Sequence, residues 1–232
     1  MTVTAVLAVV ATFSLGRWQL SRAAQKEALQ AHRDAQTGLD RLDGRTLASL
    51  ADPSLMLDRE VALRGTWIAQ QLVFLDNRQM HDKQGFYVVT PLQLQDSAGV
   101  ILVQRGWVAR NFLDRTAVPE VPTPKGTVDI VGRIVPPPSK LYELGAEQPG
   151  RIRQNLDLVK FRAETGLPLL TAVSVQQIGT ASDGLLRDWP RLATGVEKHY
   201  GYAFQWFALS ALITILYVWF QVVKRFIFPR RT

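Results

Sequence analysis

E-K-H-Y-G-Y-A-F-Q-W-F-A-L-S-A-L-I-T-I-L-Y-V-W-F-Q-V-V-K-R, from Glu197 to Arg225, decides how the rest of the chain is organised. From Ala203 to Val223 it carries no charge, and at 1.5 Å per residue that run covers about 32 Å, enough for a hydrocarbon core of about 30 Å. The stretch predicts a transmembrane helix. Tyr200, Tyr202 and Trp206 mark its beginning and Tyr217, Trp219 and Phe220 its end, where amphipathic rings favour the membrane interface. Lys224, Arg225, Arg230 and Arg231 follow, and such a basic flank predicts the cytoplasmic side.

At the other end, M-T-V-T-A-V-L-A-V-V-A-T-F-S-L (Met1 to Leu15) is apolar but only about 22 Å long as a helix. Extension through Leu20 brings it to span length, with Arg17 able to snorkel to the headgroups. It lacks a basic leader and a small-residue cleavage site, so a signal anchor is expected rather than a cleaved signal, with a start that omits a few native residues. The next run, Arg22 to Gln36, is rich in helix formers and predicts that the helix continues into water.

Charge and composition narrow the function. The 232 residues hold 27 Lys and Arg against 20 Asp and Glu, a net charge of +7. Arg17, Arg22, Lys26, Lys224, Arg225, Arg230 and Arg231 flank the apolar ends, however, and without them the chain is near neutral. A phosphate-binding groove needs clustered cations on the domain itself, so nucleic acid is not an expected partner. There is no cysteine, which excludes disulfides and thiolate chemistry within the chain. Three Met and three scattered His argue against a copper carrier.

Between the spans the pattern turns to short strands. Glu60 to Trp67, Gln71 to Arg78, Phe86 to Leu94, Val100 to Ala109, Gly126 to Val135 and Leu169 to Gln177 predict strands, with turns at His81 to Gly85 and Asp96 to Gly99. Pro91 within the third predicts an edge or a bulge. Asn155 to Thr165 predicts a short helix, capped by Asn155 and stopped by Gly166. The expected fold is a two-span integral membrane protein with an exported α+β domain, mainly an antiparallel β-sheet or small open barrel. Its parts are a first transmembrane helix (1–20), an exported periplasmic strand-rich domain with an N-terminal helical extension (21–198), a second transmembrane helix (199–223) and a basic cytoplasmic tail (224–232).

No catalytic constellation is present: G-x-S-x-G, H-E-x-x-H and Gly-rich phosphate loops are all missing, and Asp96 and Asp129 have no assignable acidic partner. His81 falls in a polar turn and His32 on a solvated helix face. The residues alone thus point to no reaction, and an unrecognised membrane-anchored hydrolase or sensor stays open beside a binding protein. His199 differs in its company: His199, Tyr202, Ala203, Trp206 and Ser210 share a helix face, and small Ala203 beside large rings predicts a slot for a flat apolar ligand. An imidazole there suits an axial position of haem iron, but the same face also reads as an interfacial His next to an aromatic belt, and the residues alone favour that plainer reading. Trp18 and Gln19 on the first helix lie at the same depth as Tyr202 and Trp206, and the two helices are expected to pack through these faces.

Four stretches together resemble the Surfeit locus protein 1 family, membrane proteins that help assemble cytochrome c oxidase. They are L-G-R-W-Q-L-S-R at Leu15 to Arg22, the run from Asn77 to Leu92 ending G-F-Y-V-V-T-P-L, L-V-Q-R-G-W-V at Leu102 to Val108, and H-Y-G-Y-A-F-Q-W-F at His199 to Phe207. Gln104 stands where the family pattern leads one to expect Asn. The resemblance implies two spans enclosing an exported domain, and delivery or holding of haem a while the catalytic subunit is built. An assembly or haem-binding factor is then expected rather than an enzyme, the alternatives being a scaffold that binds oxidase subunits without haem contact and an unrecognised membrane-anchored hydrolase or sensor. The resemblance also implies His199 as the metal-contacting residue; Tyr202 and Trp206, which share its helix face, are expected beside the cofactor. The implied partners are the oxidase catalytic subunit, other assembly factors and haem a synthase, in the lipid bilayer. The implied location is a bacterial inner (plasma) membrane, with both termini cytoplasmic and the central domain periplasmic. In Arg105, Gly106 and Trp107 a structural role is expected: an ion pair, a close backbone approach and a core ring.

Overall fold

The computed structural model describes residues 2–95, 97–111, 113–114, 117–142, 150–180, 183–190 and 195–227. Asp96, Arg230 and Arg231, and with them part of the second turn and of the basic tail, lie outside the described residues. The chain forms two compact units, residues 1–32 with 192–232, and residues 33–191.

The first unit is a helix pair. Helix α1 (Thr2–Thr37) is continuous from the apolar end into the polar run, as the composition of Arg22 to Gln36 predicts. Helix α4 (Val196–Val218) continues into wider π-helical turns over Trp219–Ile227. Both are long and apolar enough to cross a membrane. Phe204, Ile215, Trp219 and Phe220 are exposed, as befits side chains that face lipid rather than a protein core.

On α1 the less exposed residues include Ala5, Val9, Thr12, Gly16, Gln19, Ala23, Lys26 and Gln30, and on α4 they include Val196, His199, Ala203, Trp206, Ser210, Ile213 and Tyr217. Both sets advance in alternating steps of three and four, the spacing that keeps one seam facing a partner helix. The helices run antiparallel. Tyr217 Oη donates to Thr2 Oγ1 at 3.0 Å, Ser210 Oγ reaches the Val9 carbonyl at 3.5 Å, the Phe207 and Phe13 rings meet edge to face at 5.3 Å, and Tyr200 Oη donates to Glu27 at 2.9 Å. Small residues line the seam because backbones in lipid associate through close packing and a few hydrogen bonds, not through a hydrophobic driving force.

The second unit is strand-rich. Its strands are β1 (Leu42–Asp43), β2 (Glu60–Trp67), β3 (Val73–Met80), β4 (Lys83–Leu94), β5 (Val100–Ala109), β6 (Thr127–Val135), β7 (Ile152–Arg153) and β8 (Ser174–Gln177), with short helices α2 (Gly44–Ser49) and α3 (Leu158–Thr165). The order β2-β6-β8-β5-β4 closes on itself through the β2–β4 pairing Gly65↔Leu94 to Trp67↔Leu92. The expected sheet or open barrel is thus a barrel-like ring of five strands. Most neighbours are antiparallel, but β5–β8 is parallel, held by Val103↔Val175 and Gln104↔Gln176. The interior contains Val61, Leu63, Trp67, Leu92, Leu94, Ile101, Val103, Ile130, Ile134 and Val175. A second apolar cluster, with Val73, Leu75, Val89 and Leu102, packs on Leu158 and Phe161 of α3.

Pro91 sits where β4 changes partner. Residues before it pair with β3 and residues after it with β2, while its carbonyl accepts from Ile68 N at 2.9 Å. A strand residue points its N–H and C=O to the same side, so the missing N–H falls in this changeover and the ladder to β5 is undisturbed. The bulge in the β4–β5 pairing lies nearby, between Val88 and Val89. The β3–β4 turn is tighter than expected: His81 and Asp82 alone form it, with φ of 50° and 58°. That conformation suits a two-residue hairpin, and Asp and His tolerate it better than branched residues.

The short helix begins later than the sequence suggests. Its cap is Asp157, whose carboxylate accepts from Val159 N and Lys160 N, and Gly166 closes it at φ 67°. The hydrogen bond from Lys140, and after it these backbone bonds, hold the Asp157 carboxyl below the usual range. Asn155 instead clamps a neighbouring segment, accepting from Leu141 N at 2.6 Å and donating to its carbonyl at 2.9 Å. Gln104, the departure from the family pattern, donates to Ser174 Oγ at 2.9 Å and so joins β5 to β8.

Candidate functional site

The geometry around His199 follows from the seam. His199 lies in the first turn of α4, half-buried, and Gln19 occupies the facing seam position on α1. His199 Nδ1 and Gln19 Oε1 are 2.7 Å apart. An amide oxygen can only accept, so the proton of this bond is on Nδ1. Nε2 then keeps its lone pair, has no hydrogen-bond partner among the described residues, and is not sealed from its surroundings.

The other expected residues divide. Trp206 is half-buried at the next seam position after Ala203, whereas Tyr202 is 53% exposed on the flank of the helix. Ala203 is only 2% exposed, so the slot expected beside it is filled by the helix pair itself. Its small side chain serves close helix approach. On α1, Gln19 enters the seam but Trp18 does not: it is exposed, with the Arg22 guanidinium 5.6 Å over its ring. The polar contacts of Gln19, Glu27 and Thr2 across the helix pair were not assigned partners from sequence; Gln19 shares a three-and-four spacing with Thr12, Gly16 and Ala23, which is the signal that finds it.

Among the described residues no group of three His, Asp or Glu could hold a bare metal ion. Haem iron asks less, since the porphyrin supplies four nitrogens and the protein one axial donor. His199 fits that demand: a metal-binding imidazole ordinarily donates its other N–H to a neighbouring acceptor, as Nδ1 does here to Gln19. His81 offers a poorer case, because its Nε2 is engaged with Asp188 at 3.0 Å and both side chains are exposed. His32 is exposed on α1.

Within the barrel unit, the R-G-W segment of β5 has the structural roles expected of it. Arg105 is 2% exposed and pairs with Asp183 at 3.3 Å; Trp107 is buried and donates from Nε1 to the Arg78 carbonyl at 2.9 Å. A Cβ on Gly106 would stand 2.6 Å from Leu185 Cβ and 2.8 Å from the Leu186 carbonyl, so only glycine admits the Leu185–Leu186 segment, which bridges to Trp107. Burial pushes the Arg105 and Arg78 guanidinium groups below their ordinary values, opposed at Arg105 by Asp183.

Comparison with known proteins bears on the whole chain. The SURF1 family profile matches residues 6–211. A SURF1-like protein of Drosophila melanogaster is 27% identical over 231 residues, covering 92% of this chain and 75% of the fly protein. One from Monosiga brevicollis is 28% identical over 229 residues, covering 91% and 84%, and one from Rickettsia bellii is 25% identical over 233 residues, covering 98% and 92%. With two candidate spans around a barrel-like domain and a family match that runs from one span into the other, the chain belongs to the SURF1 family.

Proposed function

We propose that this chain holds or delivers haem a during maturation of the cytochrome c oxidase catalytic subunit, with His199 as the axial contact and Tyr202 and Trp206 against the macrocycle. Membership in a family known as cytochrome oxidase assembly factors supports the general role. The observation that carries the specific one is the His199 ring, bonded through Nδ1 to Gln19 with Nε2 left open. Bound haem a supplies the redox-active iron porphyrin the oxidase needs; the chain's part is to orient one imidazole and present apolar rings at the edge of a span. Its partners on this reading are the oxidase catalytic subunit, other assembly factors and haem a synthase, met within the lipid bilayer. The filled space at Ala203 favours a second reading, a scaffold that binds oxidase subunits without touching haem.

His199→Ala separates the two. The span keeps its apolar run, so insertion and abundance stay at wild-type level. The variant purified from cells that make haem a is expected to lose bound haem or show a shifted absorption spectrum, and oxidase matured beside it to contain less haem a. An unchanged spectrum in the bound fraction would rule out ligation and favour the scaffold.

The proposed location is a bacterial inner membrane with the barrel domain periplasmic and both termini cytoplasmic, supported by two spans and the basic run after the second. A reporter active only outside the cytoplasm is expected to work when inserted near Pro122 and to be silent after Thr232. The opposite pattern would invert the topology.

A further inference from the structure

We propose that Gln19 is a positioning residue for His199: its side-chain carbonyl holds the imidazole as the Nδ1–H tautomer, so that Nε2 is the nitrogen offered to a ligand. The part concerning haem rests on the reading of His199 given above; the part concerning the tautomer does not. Three observations carry it. The Nδ1 to Oε1 separation of 2.7 Å is that of a well-formed hydrogen bond. Both residues are half-buried at facing positions of one seam, next to buried Gly16 and Ala23 on α1 and Ala203 on α4, so neither side chain swings freely. The bond joins residues 180 apart in sequence, so the tautomer is set by assembly of the helix pair and not by α4 alone.

The chemistry is that of an orienting partner to a metal-binding histidine. A free imidazole exchanges its proton between two nitrogens, and either can ligate; an acceptor on one of them selects the other and fixes the ring plane. A neutral amide oxygen does this without placing a charge in the span. Gln19→Leu removes the acceptor at similar volume. Gln19→Glu keeps an acceptor and strengthens it, which makes the opposite nitrogen more basic and favours ferric iron.

The test uses the full-length protein in detergent micelles or nanodiscs. Nitrogen NMR of 15N-histidine-labelled, haem-free protein reads the tautomer, with His199→Ala assigning the signal against His32 and His81. Wild type is expected to carry the proton on Nδ1, Gln19→Leu to lose that preference, and Gln19→Glu to retain it. Titration with haemin is expected to bind about ten- to a hundredfold more weakly in Gln19→Leu. Gln19→Glu is expected to recover near wild-type affinity with a lower midpoint potential. An Nε2–H tautomer in wild type, or a Gln19→Leu variant matching wild type in tautomer and affinity, would overturn the proposal. If wild type takes up no haemin while the tautomer responds to Gln19 as stated, the haem reading falls and the control of the tautomer by Gln19 is upheld.

Discussion

Gly16→Leu is expected to separate the helix pair while leaving both helices in the membrane. A Cβ at Gly16 would lie 2.7 to 2.9 Å from three atoms of the Phe207 ring, and the ring cannot retreat easily because Phe13 meets it edge to face at 5.3 Å. Overpacking of this kind costs about 1–3 kcal/mol, which at 1.4 kcal/mol per factor of ten shifts a two-state helix association about five- to 150-fold. Leucine makes the span more apolar, so insertion does not suffer. The absence of native cysteine makes the effect simple to measure. Cysteines at Val9 and Ser210, where Ser210 Oγ stands 3.5 Å from the Val9 carbonyl, are expected to crosslink within one chain, and Gly16→Leu to abolish most of that product. Gly16→Ala is expected to fall between, and Phe207→Leu to restore crosslinking to the Gly16→Ala chain by vacating the ring. Full crosslinking in Gly16→Leu at wild-type rate would show that the seam does not pass through Gly16. Because Gln19 and His199 lie on the same seam, Gly16→Leu should also disturb the His199 tautomer.

Much of the barrel unit was legible because its strands carry their signal locally. Glu60 to Trp67 alternates between buried and exposed residues, and Val100 to Ala109 is a nearly continuous apolar run; both predicted strands match the observed bounds. What the local pattern lacked was pairing. Closure of the ring depends on β4 exchanging β3 for β2 at Pro91, and on β8 lying parallel to β5, choices made between segments far apart in the chain. The proline was visible as an irregularity, but not as the position of a changeover. The cap of α3 was misplaced by two residues for a related reason: Asn155 and Asp157 can both cap, and a tertiary contact with Leu141 takes Asn155 away.

The surroundings of His199 were less legible than the helices that carry it. His199 stood out as an imidazole at the end of an apolar run, and Gln19 and Trp18 as polar and aromatic neighbours on the first helix. Which of the two enters the seam was hidden, because a helix that is apolar on all sides has no polar face to reveal its orientation. The informative residues were the small ones. Gly16, Ala23, Ala203 and Ser210 repeat at steps of seven on their helices, and it is their burial that draws Gln19 and His199 together and closes the expected slot at Ala203.

Asp183→Asn is expected to destabilise the barrel unit more than Arg105→Met, although Arg105 is the more deeply buried of the two. Asp183 serves two cations: Arg105 Nη2 at 3.3 Å and Arg187 Nη2 at 2.8 Å, with side-chain exposures of 2% and 8% on the arginines and 13% on the carboxylate. The remaining bonds of Arg105 go to neutral groups, Pro122 O at 2.6 Å and Thr123 Oγ1 at 2.9 Å, and its guanidinium stacks 4.9 Å over the Trp67 ring. Replacing Asp183 by Asn keeps the shape but leaves two buried cations facing a neutral amide, and removing one partner from a buried ion pair costs about 3–5 kcal/mol. Arg105→Met removes a cation whose carboxylate still has Arg187, and retains apolar contact with Trp67; a cost of about 1–2 kcal/mol is expected from the lost hydrogen bonds. At about 2–4 °C per kcal/mol for a domain of this size, Asp183→Asn should lower the thermal midpoint of the barrel unit by roughly 10 °C and Arg105→Met by roughly 5 °C. The double variant should recover part of the Asp183→Asn loss, because only one unpaired cation, Arg187, then remains. Arg187 is tied independently to the Arg105 carbonyl at 2.9 Å and the Thr180 carbonyl at 2.9 Å, which a methionine at position 105 leaves intact. Equal losses in the two single variants, or a double variant worse than their sum, would mean that Trp67 stacking and core volume, not charge compensation, are what the R-G-W arginine contributes to the strand.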